Sequence, residues 1–197
     1  IEHGDSLGNK GSILDGETQW MTAGSGIIHQ EMPKPSKRML GVQLWLNLPA
    51  KDKMTEPRYH GITKEQVPVV RETGALVRVI AGQYGETKGA FEGDFVKPVY
   101  LDVELTPGSS WSVDVDPEHT MFIYTVQGGG EVGNEGVAYV PEKHAVLFGD
   151  GDKFQIKAGD QGIRFLFLSA KPLREPIAWG GPIVMNTREE LDRAFHQ

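Results

Sequence analysis

The chain has 197 residues, of which 39% are hydrophobic and 24% are charged, a composition typical of folded domains and unlike that of disordered chains. It contains no cysteine, which excludes a disulfide scaffold, a thiolate metal site and a cysteine nucleophile. The formal net charge of −7 disfavours direct binding to nucleic acids and to anionic lipid surfaces. No apolar run reaches the roughly 18 residues of a membrane span, so we expect a soluble, intracellular protein.

Short runs of β-branched and aromatic residues, punctuated by 25 glycines and 12 prolines, follow one another along most of the chain. This pattern predicts an all-β sandwich or barrel with little helix. The chain begins at Ile1, close to the turn-rich segment GDSLGNKGS, and therefore starts as the middle of a fold would. The predicted strands span residues 42–48, 75–80, 99–105, 121–126, 145–148, 153–156 and 163–169.

Three further signals concern the organisation of the chain. Prolines interrupt a charged stretch between residues 50 and 70, which predicts a connector between two β units with a boundary near Pro68. Thr187 precedes Glu190 by three residues, the spacing of a capping box, and predicts a helix from about Arg188 to the end. Similar glycine-acidic turns in each half are consistent with two related barrels.

The most informative segment for chemistry is LDGETQWMTAGSGIIHQEM, residues 14–32. His29 and Glu31 lie two positions apart, so on a strand both side chains face one side and can converge on a metal ion, whereas Gln30 faces away. An imidazole and a carboxylate without thiolates suit Fe(II), Mn, Ni, Cu or Zn in a site with open positions. A hydrogen-bonded surface pair is the alternative interpretation, and a metal would need further ligands.

Several other glycines and histidines are relevant to a metal site at His29 and Glu31. Gly24 and Gly26 precede the pair and allow a positive φ or a close approach of the backbone. The remaining histidines, His60, His119, His144 and His196, are ligand candidates by residue type only. His3, in the turn-rich start, is expected to be solvated, and His144 is expected in a loop. The glycine run at residues 128–130 predicts a flexible hairpin loop.

Residues 42–48 alternate between apolar and other side chains. The alternation predicts that Val42, Leu44, Leu46 and Leu48 face one side of a strand and that Gln43, Trp45 and Asn47 face the other. An indole and two amides on one face are typical of a cavity lining, although an exposed polar face shows the same pattern.

Six segments occur in a recognisable order over nearly the whole chain: QWMTAGSGIIHQEM, GVQLWLNLP, KMTEPRY, YLDVELTPGS, FIYTVQGG and KPLREPIAWGGPIVMNT. In this order they resemble the pirin family of bicupin proteins. The resemblance implies two stacked cupin-type β-barrels with a short C-terminal helix. Residues 1–68 would then be the remainder of an N-terminal metal-binding barrel, and residues 69–197 a C-terminal barrel with the helix.

The resemblance also implies a metal site in the N-terminal barrel, with three histidines and one glutamate around a mononuclear metal, usually iron. His29 and Glu31 match half of that set, and the family's other two ligands lie in a His-x-His segment that would precede Ile1. Either the chain lacks its opening strands, which we favour, or it is a shortened protein without the site. The expected cofactor is Fe(II), with Cu, Mn, Ni, Co and Zn as alternatives. The C-terminal barrel is expected to hold no metal.

By resemblance, the expected activity is the oxidative cleavage of a flavonol by O₂, as in a quercetin 2,3-dioxygenase. Glu31 would accept the substrate's hydroxyl proton, and Trp20, Met21, Gln43 and Trp45 would line the cavity. The alternatives are an iron-dependent transcriptional coregulator, which would act through a partner protein and not by binding DNA, and a metal-free cupin. We expect a cytoplasmic monomer, also nuclear if the source is eukaryotic, with no membrane partner.

Overall fold

The chain folds into two compact groups of antiparallel strands. The computed structural model describes residues 1–133 and 138–196. One group, the first unit, contains Ile1–Lys64 and the segment that begins at Leu173, and the second unit is Glu65–Pro172. The contacts thus group the C-terminal segment with the N-terminal strands, whereas the sequence-based division kept that segment with the second barrel.

The strands are numbered in chain order, and a single α-helix follows them in the described part of the chain. They are β1 (Glu2–Asp5), β2 (Lys10–Ser12), β3 (Thr18–Thr22), β4 (His29–Met32), β5 (Arg58–Ile62), β6 (Val69–Glu72), β7 (Ala75–Ala81), β8 (Gln83–Tyr84), β9 (Thr87–Lys88), β10 (Val99–Leu105), β11 (Ser110–Asp114), β12 (Thr120–Val132), β13 (Ala138–Val140), β14 (Ala145–Leu147), β15 (Lys153–Ala170), β16 (Ala178–Gly180), β17 (Ile183–Met185) and α1 (Arg188–Phe195). Short 3₁₀ helices occur at Ala50–Asp52 and Lys64–Gln66.

The first unit consists of three small sheets and α1. Its sheets have the orders β2-β1-β4, β3-β5 and β16-β17. The capping box predicted for the helix is present, because Thr187 Oγ1 accepts a bond from the Glu190 amide and the Glu190 carboxylate accepts one from the Thr187 amide at 2.9 Å. Arg188 begins the helix, as predicted.

The second unit contains an eight-stranded sheet with a hydrophobic core, and the small sheet β8-β9. The larger sheet has the order β13-β12-β15-β10-β7-β6, with β11 also paired to β15 and β14 to β12. Alternate residues of β7, β10, β12 and β15 point inward, as the period of two in a strand requires. The most deeply buried apolar side chains of this core are Val77, Val79, Leu101, Val103, Ile123, Phe165 and Phe167.

Two strands predicted separately in the second unit are joined in the structure. The predicted strands 153–156 and 163–169 are one continuous strand, β15. Gly162 lies inside it with a φ of +72°, next to the point where the register between β12 and β15 shifts. The prediction of a loop at residues 128–130 is wrong, since these glycines lie within β12. A Cβ at Gly128 would overlap the Gly162 carbonyl oxygen, so glycine permits the close approach of β12 and β15.

In the first unit, the predicted strand at residues 42–48 is wrong, because this stretch belongs to none of the sheets. Trp45 is 55% exposed, and Val42 is exposed as well. The connector predicted between residues 50 and 70 contains a strand of its own, β5, which pairs with β3. Among the described residues, no helix is long and apolar enough to cross a membrane.

Candidate functional site

The strand β4 presents His29 and Glu31 on one face, as their spacing predicts. The chain reaches β4 through a bend in which Gly24 and Gly26 have φ values of +54° and +129°. A Cβ at Gly24 would overlap the carbonyl oxygen of Thr55, so this position requires glycine both for its backbone angle and for its close contact. The expected role of the two glycines is confirmed.

The register between β1 and β4 adds two polar residues to this face. His3 lies opposite Glu31, and Asp5 lies opposite His29. Directly opposed residues of an antiparallel pair project to the same side, so all four side chains share one face of the sheet. The Asp5 carboxylate is engaged in the adjoining turn, where it accepts bonds from the Asn9 amide at 2.9 Å and the Asn9 side chain at 2.8 Å.

His3 is half-buried in a strand, and the prediction of a solvated turn residue is wrong. Its ring stacks on Tyr59 of β5, with centroids 5.7 Å apart and planes 9° apart. The Gln19 side-chain amide nitrogen lies 3.0 Å from His3 Nε2. A Cβ at Gly11 would lie 2.6 Å from the same nitrogen, so the ring occupies space that only glycine leaves open.

The sequence contains a signal that would have placed His3 correctly. The turn-rich segment GDSLGNKGS, residues 4–12, is of the kind that joins two strands, which predicts a strand directly before the turn. His3 and Asp5, two positions apart in that strand, then share a face as His29 and Glu31 do. Nothing local in the sequence shows that Tyr59, from a segment interpreted as a connector, meets His3.

Tyr59 lies within electrostatic range of the candidate ligand Glu31. Burial raises the pKa of the Tyr59 phenol, and the carboxylates of Asp5 and Glu31 raise it further. The phenol is therefore protonated at neutral pH and can donate a hydrogen bond. We call Tyr59, His3 and Gln19 the His3 cluster.

The register between β3 and β5 separates the predicted wall residues. Met21 lies opposite Tyr59, and Trp20 lies opposite His60. Met21 therefore shares the face of Tyr59, whereas Trp20 projects from the other side of the strand pair. Gln43 and Trp45, which complete the predicted wall, lie exposed in the segment outside the sheets.

The donor types of His29 and Glu31 suit a first-row transition metal, but two donors do not complete a site. Within the described residues, no group of three or more histidine, aspartate or glutamate side chains is arranged to hold a metal ion. His119 Nδ1 lies 3.1 Å from Ser169 Oγ, and His144 Nδ1 lies 2.9 Å from the Glu142 carbonyl oxygen. By themselves, the residues described here therefore do not form a complete metal site.

Aromatic side chains fill the interior of the second unit. Trp111 makes edge contacts with Phe154, Phe165 and Phe167, with ring centroids about 6 Å apart. Its indole nitrogen donates to the Tyr84 hydroxyl at 2.9 Å. This interior is a packed core, and its contacts indicate a structural role.

Alkaline titration is expected to weaken the second unit. Burial is the largest cause that raises the pKa values of Tyr84 and Tyr100 to about 12. Because tyrosines of an unfolded chain lose their protons near pH 10, the stabilisation is complete below that pH and is lost as the pH rises to about 12. Tyrosinate absorbance and circular dichroism would show part of the ionisation delayed until the strands unfold. In Tyr84→Phe the delayed fraction should be smaller, and ionisation of every tyrosine before unfolding would contradict the prediction.

Comparisons with known proteins agree with these features. The family model named Pirin matches residues 1–46, and the model described as the pirin C-terminal cupin domain matches residues 100–197. A Thermoplasma acidophilum protein provisionally named quercetin 2,3-dioxygenase is 38% identical, covering 99% of this chain and 81% of that protein. Human pirin is 37% identical, covering 99% and 68% of the two chains.

A solved structure is similar over the same extent. The crystal structure of a quercetin 2,3-dioxygenase from Acinetobacter baumannii has a TM-score of 0.88 and 36% identity, covering 99% of this chain and 69% of that one. The antiparallel strands and this similarity define a cupin protein, as the fold prediction stated. The relatives and both family models identify which family of cupin proteins this is. The chain belongs to the pirin family.

Proposed function

We propose that this chain functions as a metal-dependent cupin dioxygenase of the quercetin 2,3-dioxygenase type, which cleaves a flavonol-like small molecule with O₂. The observation that carries the proposal is the pair His29 and Glu31 on one face of β4, opposite His3 and Asp5. The names of the similar proteins from Thermoplasma acidophilum and Acinetobacter baumannii support the activity class.

In this proposal His29 and Glu31 are metal ligands, and the metal requires further ligands besides these two. An imidazole and a carboxylate favour Fe(II), with Cu, Mn, Ni, Co and Zn as alternatives. Glu31 also acts as the base that accepts the flavonol hydroxyl proton, because its carboxylate is exposed on β4. Met21 has the best-supported place among the four wall residues, since it shares the face of Tyr59.

We expect His29→Ala and Glu31→Ala each to abolish stoichiometric metal binding. Each variant removes one metal-binding donor, and a transition-metal site normally needs three or four of them. Gln30→Ala is the matched control, because Gln30 lies between the two ligands and faces the other side of β4. The measurement is metal content by mass spectrometry after anaerobic loading with Fe(II) and desalting, with circular dichroism as a check of folding. Equal metal content in all three variants would refute the ligand assignment.

The activity itself is tested by O₂ uptake with quercetin. Protein loaded anaerobically with each candidate metal should consume O₂ only when the flavonol is added. Metal binding without O₂ uptake for any metal would reject the enzymatic proposal and favour a binding or regulatory role. Absence of metal from the purified wild-type protein after loading would instead favour a metal-free cupin.

A further inference from the structure

Three side chains of the second unit form a line of hydrogen bonds from the core to the surface. Trp111 is only 4% exposed, and its indole nitrogen donates to the Tyr84 hydroxyl at 2.9 Å. The Tyr84 hydroxyl in turn donates to Glu72 Oε1 at 2.8 Å, and Glu72 is exposed at the end of β6. The rings of Trp111 and Tyr84 also stack, with centroids 5.8 Å apart and planes 27° apart. We call Trp111, Tyr84 and Glu72 the Trp111 triad.

We propose that the Trp111 triad is a redox site, in which Tyr84 gives an electron to oxidised Trp111 and gives its hydroxyl proton to Glu72. The oxidant is a one-electron acceptor of the class of the carbonate radical anion, which takes an electron from Trp111 and becomes carbonate. The products are intact Trp111, a neutral tyrosyl radical at Tyr84 and a protonated Glu72. These steps need no metal ion and are independent of the proposed dioxygenase activity.

The surroundings of Trp111 favour the electron step. The chain contains no cysteine, so its tryptophans and tyrosines are the side chains that one-electron oxidants attack most readily. The edge contacts of the indole are with Phe154, Phe165 and Phe167, whose rings are much harder to oxidise. Tyr84 stacks on the indole at a normal aromatic contact distance and is able to return an electron. An oxidised Trp111 therefore has an electron donor in direct contact with its ring.

The hydrogen bond to Glu72 favours the proton step. A phenol becomes a strong acid when it loses an electron, so a tyrosine is oxidised readily where a positioned base accepts its proton. The Glu72 carboxylate is at hydrogen-bond distance and, being exposed, can pass the proton to water. Burial raises the pKa of the Tyr84 phenol to about 12, and the bond to Glu72 contributes. The proton therefore stays on Tyr84 in the resting protein and leaves only when the ring is oxidised.

The two steps together carry an oxidising equivalent out of the core. Trp111 lies among the buried rings, whereas the Tyr84 ring is half-buried and Glu72 is exposed. A soluble reductant such as ascorbate returns one electron to the tyrosyl radical while Glu72 returns the proton, which restores the resting triad. The buried core is thereby spared the irreversible reactions of a long-lived tryptophanyl radical.

A photosensitiser attached beside Trp111 tests the electron step. Because the chain has no cysteine, Ser112→Cys provides a single attachment point for a ruthenium(II) bipyridine label at an exposed residue next to Trp111. A laser flash with a sacrificial electron acceptor converts the label to Ru(III), which is the oxidant in this experiment. We expect transient absorption and electron paramagnetic resonance to show a tyrosyl radical that forms as a tryptophanyl radical decays.

Tyr84→Phe in the labelled protein shows which tyrosine is oxidised. This variant keeps a stacked ring but removes the hydroxyl, so the tyrosyl signal should be lost and the tryptophanyl radical should live longer. Tyr139→Phe, at an exposed tyrosine of the same unit, is the matched control and should leave most of the tyrosyl signal. The proposal is overturned if Tyr84→Phe keeps the tyrosyl signal, or if the flash produces no tyrosyl radical in the labelled parent protein.

Glu72→Gln tests the proton step, because the amide keeps a hydrogen-bond acceptor but is a far weaker base. We expect tyrosyl formation to slow at least about 10-fold, as for other positioned proton acceptors. In the labelled parent protein, D₂O should slow it as well. Glu86→Gln, at an exposed glutamate in the turn between β8 and β9, is the matched control, and circular dichroism checks the folding of each variant. A purely structural bond would leave the rate unaltered, so equal rates in Glu72→Gln and Glu86→Gln would overturn the proposal.

Discussion

Replacement of Phe165 by alanine is expected to lower the free energy of unfolding of the second unit by about 3–5 kcal/mol. Phe165 is completely buried at the centre of the aromatic group, where it contacts Trp111 and Phe154. The substitution removes apolar surface from the core and also leaves a cavity, because neighbouring rings on rigid strands close only part of the gap.

The measurement has to report on the second unit alone, since a chain with two compact units need not unfold in one step. Amide hydrogen exchange in β10 and β15 meets this need, because these strands pair with each other at the centre of the sheet. Leu147→Ala is the control. Leu147 belongs to the same unit but is 71% exposed, so its truncation should change the stability by no more than about 0.5 kcal/mol. Similar losses in both variants would show that the aromatic group is not the core that stabilises this unit.

Much of the second unit could be predicted because its signals are local. Residues 99–105 alternate, and the structure has a strand with these bounds whose Leu101, Val103 and Leu105 are buried. The same alternation at residues 42–48 predicted a strand that the structure does not contain. Alternation shows which faces a strand would have, but not whether a second strand lies alongside it, and pairing partners are distant in sequence.

The candidate site also divides into features set by local spacing and features set by long-range strand pairing. That His29 and Glu31 share a face follows from a spacing of two, which the sequence displays directly. The His3 cluster depends on three strands that are distant along the chain, and no spacing rule relates Gln19 to Tyr59. Trp20 and Met21 are a different case, because adjacent residues of a strand project from opposite faces, and the grouping of both in one wall conflicts with their place in β3.

Lys53 is expected to stabilise the first unit strongly, although no sequence motif indicated this role. This lysine is only 6% exposed, and its ammonium group donates to Asn47 Oδ1 at 2.6 Å and to the Val184 carbonyl oxygen at 3.1 Å. Burial lowers the pKa of Lys53, against the opposing influence of the Glu175 and Glu190 carboxylates. The buried ammonium thus joins the segment before the first 3₁₀ helix to β17, which pairs with β16 to form the C-terminal hairpin of the same unit.

We expect Lys53→Met to destabilise the first unit by about 2–4 kcal/mol. Methionine preserves the length and the apolar packing of the side chain, so the loss isolates the ammonium group. Two acceptors lose their donor, each at a cost of about 1–3 kcal/mol, and relief from burying a charge offsets part of that cost. Because one of these acceptors is in β17, the loss of stability should be greatest in the C-terminal hairpin and in α1.

Limited proteolysis of the C-terminal segment and amide exchange in β17 and α1 measure this effect. Lys51→Met is the matched control, since Lys51 lies in the 3₁₀ helix that Lys53 directly follows but is exposed, and its replacement should leave both measurements unchanged. If Lys53→Met behaved as Lys51→Met does, the hairpin would have to be held by other contacts. The bond from the Ala50 amide to the Glu175 carboxylate at 2.7 Å would then be the first to test. Faster cleavage in Lys53→Met alone would identify the buried ammonium as the link that secures the C-terminal segment.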